Sequence, residues 1–449
     1  MVRHPSFVPG LNQGELMLNR AYRTSFATTL LASSFLQLCA QQTAHTASGA
    51  WPDPLIMASG RPVHSAEEFV SIRRPEILSL FAHDVFGVTP SFKLPSRVQI
   101  DSTASALGGL AVRKQITISF GVRDQVKVHL LLYLPAHAAK PVGVFVGLNF
   151  DGNQTVDADP GIFLSPVWQR DPALAGVPLA KELAGHIRSN SPAGTRGSAA
   201  AQWQVRKILQ YGFGLATVYA GDFDPDFIAG IGYGVRPLFF TPGQQLPEAT
   251  SWGALGAWAW GMSRIVDYLQ QDRGVDRDRI IAFGHSRLGK ATLWAAAQDT
   301  RFAAVISNNS GQAGATLSHR KVGEPIDHLI LAFPYWFCPD YAHYLGDVDA
   351  LPVDGHLLLA AIAPRPLYIA SGETDPYSDP EGEFLAARAV TPVYRLFGKK
   401  GVEQTTLPPL NHPIGGTVRY HIRTGGHDVT AYDWDQYLAF AGQLQPAAN

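Results

Sequence analysis

Ser286 lies in "GHSRLGK" (284–290), after the apolar run "RIIAF" (279–283) and before "ATLWAAA" (291–297), which reads as helix. A serine in a sharp strand-to-helix turn has its hydroxyl pushed out beyond the sheet edge. The N–H of the next residue then faces a developing oxyanion. Such a hydroxyl attacks a carbonyl only when a base takes its proton. The chain has 15 histidines, and His427 has the most suitable place for that base. It follows Gly425-Gly426 in "HIRTGGHDVTAYDW" (421–434), late in the chain, and ranks above His412 and His421. An acid should orient the imidazole. "YIASGETDPYSDPEGEF" (368–384) offers Glu373, Asp375, Asp379, Glu381 and Glu383. Asp375 sits in the turn just past a strand and is the choice. Most of the others read as solvated loop acids or as helix-start acids that suit the dipole of "DPEGEF". The competing reading of Ser286 is a helix N-cap. It gains weight because Leu288 occupies the place of the usual second glycine.

These residues need elements to present them. "RKQITISFG" and "VKVHLLLYLP" alternate like a hairpin, whereas "VGVFVGLNF" (142–150) and "GFGLATVYA" (212–220) are continuous apolar runs, as buried parallel strands are. "RIIAFG", "FAAVISN" (302–308) and "RPLYIAS" (365–371) repeat that signature, with helical stretches between, notably at 251–270. "SAEEFVSIRRPEILSLFAHDVFG" (65–87) opens with Ser65 and Glu68 spaced as a capping box. The alternation predicts an α/β fold, a doubly wound, mostly parallel sheet with helices on both faces. Its ligand should bind beyond the carboxyl ends of the strands. Within that class the chain order serine, acid, histidine, as in Ser286, Asp375 and His427, is that of the α/β-hydrolase fold, which is the expectation here.

The chain has 449 residues, 46 % apolar and 16 % charged, which suits a large core. A net charge of −1 without a basic block argues against nucleic acid or an anionic membrane surface as a partner. Arg20 and Arg23 precede "SFATTLLASSFLQLCA" (25–40), which reads as a secretory signal over residues 1–40, with an uncertain start. The apolar stretch is too short to span a bilayer. Export of a soluble, monomeric protein, secreted or periplasmic in a bacterium, is expected. Of the two cysteines, Cys39 and Cys338, only Cys338 would remain, so no disulfide framework or Cys-based zinc site is expected. Residues 41–110 read as an arm and helix packed on a catalytic domain at 111–445. The alternating acids of "GDFDPDF" (221–227), Asp222, Asp224 and Asp226, read as loop and capping acids rather than a calcium loop. Trp336 reads as core or pocket wall.

The stretches "RRPEIL…VFG" (73–87), "GLNFDGN" (147–153), "GHSRLGKATLWAAAQDTRFAAVISNNSGQAGATL" (284–317), "DPYSDPEGEF" (375–384) and "GGHDVTAYDW" (425–434) resemble the glucuronoyl esterases, the fifteenth carbohydrate esterase family. The resemblance covers most of residues 65–440. It implies a serine esterase acting on (4-O-methyl)glucuronate esters, such as those joining glucuronoxylan to lignin alcohols, with no metal or cofactor. It implies that Arg287 helps hold the oxyanion through its N–H and guanidinium, and that Lys290 and Glu324 bind the sugar. An acetyl or feruloyl xylan esterase is the nearest alternative. A non-catalytic carbohydrate-binding protein on the same fold is a more distant one.

Two positions depart from the family. Much of it carries the triad acid as a glutamate where this chain has Asn309, which cannot hold a charge. The acid must then come from the later strand, at Asp375, a site that some bacterial members use. A tryptophan often found near the sugar is replaced by Tyr377.

Overall fold

The computed structural model describes residues 51–171 and 185–444. The expected leader at 1–40 and Cys39 lie outside them. The strands among these residues are β1 (Ser96–Ala106), β2 (Ala111–Phe120), β3 (Val126–Pro135), β4 (Val142–Asn149), β5 (Pro166–Arg170), β6 (His186–Asn190), β7 (Gly214–Tyr219), β8 (Val275–His285), β9 (Ala304–Asn308), β10 (Leu367–Gly372), β11 (Ile414–Gly415) and β12 (Val418–Arg423). One sheet runs β1-β2-β3-β7-β4-β8-β9-β10-β12-β11, while β5 and β6 form a separate hairpin. The block from β7 to β12 is parallel. The strands β1-β2-β3 and β11 join it antiparallel.

Parallel strands need apolar cover on both faces, and alternation along the central strands supplies it. Val144, Val146, Ala282, Val305, Leu367 and Ile369 belong to one core. It is covered by α1 (Arg74–Asp84), α2 (Ala254–Leu269), α3 (Arg287–Gln298) and α4 (Pro380–Ala389). Phe145, Ile281, Phe283, Ile306 and Tyr368 belong to a second core, with Trp434, Tyr437 and Phe440 of α5 (Ala431–Ala441). This is the expected α/β-hydrolase architecture. Among the described residues no helix is long and apolar enough to cross a membrane.

Register decides what meets at the sheet edge. β8 pairs with β9 up to His285–Asn308, and β10 pairs with β12 up to Gly372–Arg423. The chain after β8, β9, β10 and β12 therefore leaves the sheet on one side, carrying Ser286, Asn309, Asp375 and His427.

Two local readings change. The stretch at 96–106 is not part of an arm: it pairs with β2 along its length, and the division drawn at 110/111 falls in that hairpin's turn. Its polar, largely exposed residues hide it from a search for apolar runs. The capping box at 65–68 is half formed. Ser65 Oγ accepts from the Glu68 amide at 3.1 Å, but Glu68 takes the His64 amide at 2.8 Å.

Candidate active site

The β8–α3 turn is strained. Ser286 has φ 58° and ψ −133°, a conformation that costs an L-residue on the order of 1–3 kcal/mol. Two features make the turn possible. A Cβ on Gly284 would lie 2.3 Å from Thr292 Oγ1 and 2.4 Å from the Leu288 carbonyl, so only glycine fits. Leu288 is buried in the core, where its side chain anchors the first turn of α3. The second glycine of the stretch, Gly289, packs against Ser310 of the loop after β9. The Ser286 side chain caps no helix N–H. Its Oγ instead lies 2.8 Å from His427 Nε2, which removes the N-cap reading.

His427 is presented by a loop that closes on the end of β10. A Cβ on Gly372 would lie 2.3 Å from the Gly426 carbonyl, so glycine there lets the two segments touch. The buried Arg423 holds this loop from inside. Its guanidinium donates to the carbonyls of Thr424 (3.1 Å), Gly426 (3.1 Å) and Asp428, and to Asp433 (2.7 Å). Of the other two histidines weighed, His421 is buried between Tyr368 and Asp433, and exposed His412 meets the Leu410 carbonyl at 2.9 Å.

Asp375 is buried, with its Oδ2 2.6 Å from His427 Nδ1. The same oxygen accepts from Asn309 Nδ2 at 2.6 Å and from Ser378 Oγ, while Oδ1 accepts the Tyr377 amide at 2.9 Å. Burial pushes the carboxyl up, but the His427, Ser378 and Tyr377 donors outweigh it and hold it well below the usual carboxylate range. An ionised acid accepts only. His427 Nδ1 therefore carries its proton toward Asp375, and Nε2 offers its lone pair to the Ser286 hydroxyl. Asp379 is occupied elsewhere: it caps α4 at the Gly382 amide (3.0 Å) and pairs with Arg320 (3.0 Å).

The remaining sequence-selected residues gather around this line. Arg287 pairs with Asp226, and its guanidinium lies 5.0 Å from the centre of the Trp336 ring and 5.6 Å from that of Phe150. Buried Lys290 donates to the Ser310 carbonyl at 2.5 Å. Burial pulls its ammonium down to about 8, against the nearby charges of Glu324 and Glu383. Glu324 bonds His328 at 2.8 Å, and its amide meets the Tyr377 carbonyl at 3.0 Å. Tyr377, half exposed, stands edge-on to the His427 ring at 6.1 Å.

Sequence reading missed several members. Glu383 is not solvated: it is fully buried, accepting Ser371 Oγ at 2.5 Å and the Gly311 amide at 2.9 Å. Burial, with Asp375 nearby, pushes its carboxyl up to about 8. His285 lies 4.7 Å from the His427 ring and donates from Nδ1 to Asn308 Oδ1 at 2.7 Å. Burial and the His427 charge pull it down to about 4, so it stays neutral beside a protonated His427. The three acids of "GDFDPDF" cap no helix with their side chains; each holds a cation, Asp222 and Asp224 fully buried and Asp226 partly so. Asp222 bonds His129 and Arg188, Asp224 forms a buried two-bond pair with Arg236, and Asp226 holds Arg287. Trp336 belongs to the core: it is buried, stacked on Phe333 at 4.0 Å, with the Arg287 guanidinium against its ring.

A hydroxyl on an imidazole on a carboxylate, beyond the carboxyl ends of parallel strands, is the arrangement for acyl transfer through serine. The family model described as glucuronyl esterase, fungi, matches residues 245–398. A prokaryotic carbohydrate esterase, MZ0003, is 42 % identical over 391 residues, covering 87 % of this chain and 88 % of that protein. The solved structure of a glucuronoyl esterase from Solibacter usitatus superposes with a TM-score of 0.82 at 48 % identity, covering 90 % of this chain and 99 % of that one. A 4-O-methyl-glucuronoyl methylesterase from Podospora anserina is 39 % identical over 127 residues, 26 % of each chain.

Proposed function

Because the chain belongs to the glucuronoyl esterases, carbohydrate esterase family fifteen, we propose that it hydrolyses alkyl and aryl-alkyl esters of (4-O-methyl)glucuronate with Ser286, His427 and Asp375 as its triad. The observation that carries this is the unbroken line Ser286 Oγ–His427 Nε2 at 2.8 Å and His427 Nδ1–Asp375 Oδ2 at 2.6 Å. His427 takes the Ser286 proton as Oγ attacks the uronate carbonyl carbon. The oxyanion is held at the N-terminus of α3 by the Arg287 N–H and guanidinium. Protonated His427 then gives its proton to the leaving alcohol. Water enters, loses a proton to His427 as its oxygen attacks the acyl-enzyme, and His427 returns that proton to Ser286 Oγ as glucuronate leaves. Asp375 stabilises the imidazolium in both halves. The natural ester in this reading joins glucuronoxylan to lignin alcohols.

The purified chain is expected to hydrolyse benzyl glucuronate. Turnover of acetylated or feruloylated xylan with none of benzyl glucuronate overturns the substrate assignment. Export belongs to the same reading, supported by Arg20, Arg23 and the apolar stretch at 25–40. The protein from its own host should then begin near residue 41, and an intact N-terminus in the cytosol counts against export.

Lys290 and Glu324 are the proposed sugar contacts, with Tyr377 as an aromatic wall. This gives a pH dependence with a definite sign. Lys290 has its ammonium pulled down to about 8 by burial, so it is charged below that pH and neutral above it. A charged donor to sugar hydroxyls is stronger than a neutral one. KM for benzyl glucuronate should therefore rise as pH passes from 7 to 9, and Lys290→Met should raise KM at pH 7 and flatten that rise. An unchanged KM in the variant removes Lys290 from the binding site.

A further inference from the structure

Asp226 is the one acid of "GDFDPDF" whose carboxylate reaches the residue after the nucleophile. Its Oδ2 accepts from Arg287 Nη1. Its Oδ1 accepts from Trp336 Nε1 at 2.7 Å and from Tyr335 OH at 3.0 Å. The guanidinium it holds lies against the rings of Trp336 and Phe150. The backbone that carries Asp226 is itself anchored. Two residues earlier, Asp224 is fully buried and takes two bonds of 2.8 Å from Arg236, and its carbonyl accepts Trp258 Nε1 at 2.8 Å. Arginine brings a long, flexible side chain with many rotamers to give up. Held by a carboxylate and flanked by aromatic faces, it has settled much of that before any substrate arrives.

We propose that Asp226 is a positioning residue for Arg287, fixing the guanidinium where the oxyanion forms and tying it to the Tyr335–Trp336 wall. This rests on the oxyanion role proposed for Arg287. Preorganised charge acts where negative charge develops, so the effect should fall on the chemical step. The carboxylate also offsets part of the Arg287 charge. Asp226 therefore supplies position rather than extra field, and a longer acid should not replace it fully.

The test is a double-mutant cycle on benzyl glucuronate with Asp226→Asn, Arg287→Gln and the pair, reading kcat, KM and Tm. Loss of one oxyanion donor lowers kcat by on the order of 10²- to 10³-fold, which is expected of Arg287→Gln. Asp226→Asn should lower kcat about tenfold or more with KM within about twofold and Tm near wild type, and the pair should be no slower than Arg287→Gln alone. Asp226→Glu should recover part of the loss. Losses that multiply in the pair, or wild-type kcat in Asp226→Asn, overturn the inference and leave the Arg287 reading standing. Wild-type kcat in Arg287→Gln overturns both. Should Asp226→Asn fail to fold, Tyr335→Phe combined with Trp336→Phe removes two donors to Asp226 while keeping a ring beside Arg287. A smaller loss confined to kcat then supports the inference, and wild-type kcat overturns it.

Discussion

Ser286→Ala lowers kcat on benzyl glucuronate by on the order of 10⁶-fold, the scale on which removal of a triad serine leaves only oxyanion stabilisation and binding. The fold should not notice. The Ser286 side chain caps no helix N–H, and its partner is His427 at 2.8 Å. Alanine inherits the strain of φ 58° without relieving it, so Tm should stay within the small range of substitutions that touch no packing or cap. Lys290 and Glu324 keep their bonds to Ser310 and His328, so affinity for the sugar should persist. The measurement pairs single-turnover kinetics with calorimetric binding of glucuronate. A variant that still turns over near the wild-type rate removes Ser286 from the chemistry. An intact chain that binds sugar without turnover, unchanged by the substitution, returns the non-catalytic reading.

The parts of this site legible in sequence are those set by local rules. A buried parallel strand followed directly by helix announces the turn at Ser286, since continuous apolar runs have few other uses. A pair of glycines before His427 marks a loop able to present a ring, and Asp375 follows β10 directly. The parts not legible depend on chain brought together from afar. Nothing near Asp226 in sequence says that Arg287 lies against it, 61 positions on. Asp224 reads as a loop or capping acid until Arg236 folds over it. Glu383 sits at a helix start where acids are usually wet, and the loop after β9 covers it with the Gly311 amide. β1 escapes notice because an exposed edge strand needs little apolar surface. His285 is not legible in sequence because a histidine beside a nucleophile carries no signature of its own. Its neutrality comes from desolvation and from His427, both products of the fold.

Asp375→Asn is expected to lower kcat about 10⁴-fold with little change in KM, the cost of losing the carboxylate that fixes the histidine tautomer and stabilises its cation. The surroundings make the loss severe. Asn309 Nδ2, Ser378 Oγ and His427 Nδ1 all donate to one Asp375 oxygen, and the Tyr377 amide donates to the other. An asparagine there has one acceptor oxygen, and its NH2 must face at least one donor. The same geometry assigns Asn309 its part. It stands where much of the family carries the acid, and it directs an amide N–H, not a charge, at Asp375. Two carboxylates at that spacing would repel and raise one pKa, so a neutral donor at 309 suits an acid at 375. Adding Asn309→Glu to Asp375→Asn should therefore recover kcat by about tenfold or more, because the acid then approaches His427 from the neighbouring strand end. The left-handed φ of 48° at this position costs glutamate more than asparagine, roughly 1 kcal/mol, so Tm should fall slightly. Asn309→Glu alone, with Asp375 present, should slow the enzyme and shift its acidic limb. If Asp375→Asn stays within tenfold of wild type, the acid lies elsewhere. If the pair recovers nothing, Asn309 serves Asp375 only as a scaffold, and the two strand ends are not interchangeable in this chain.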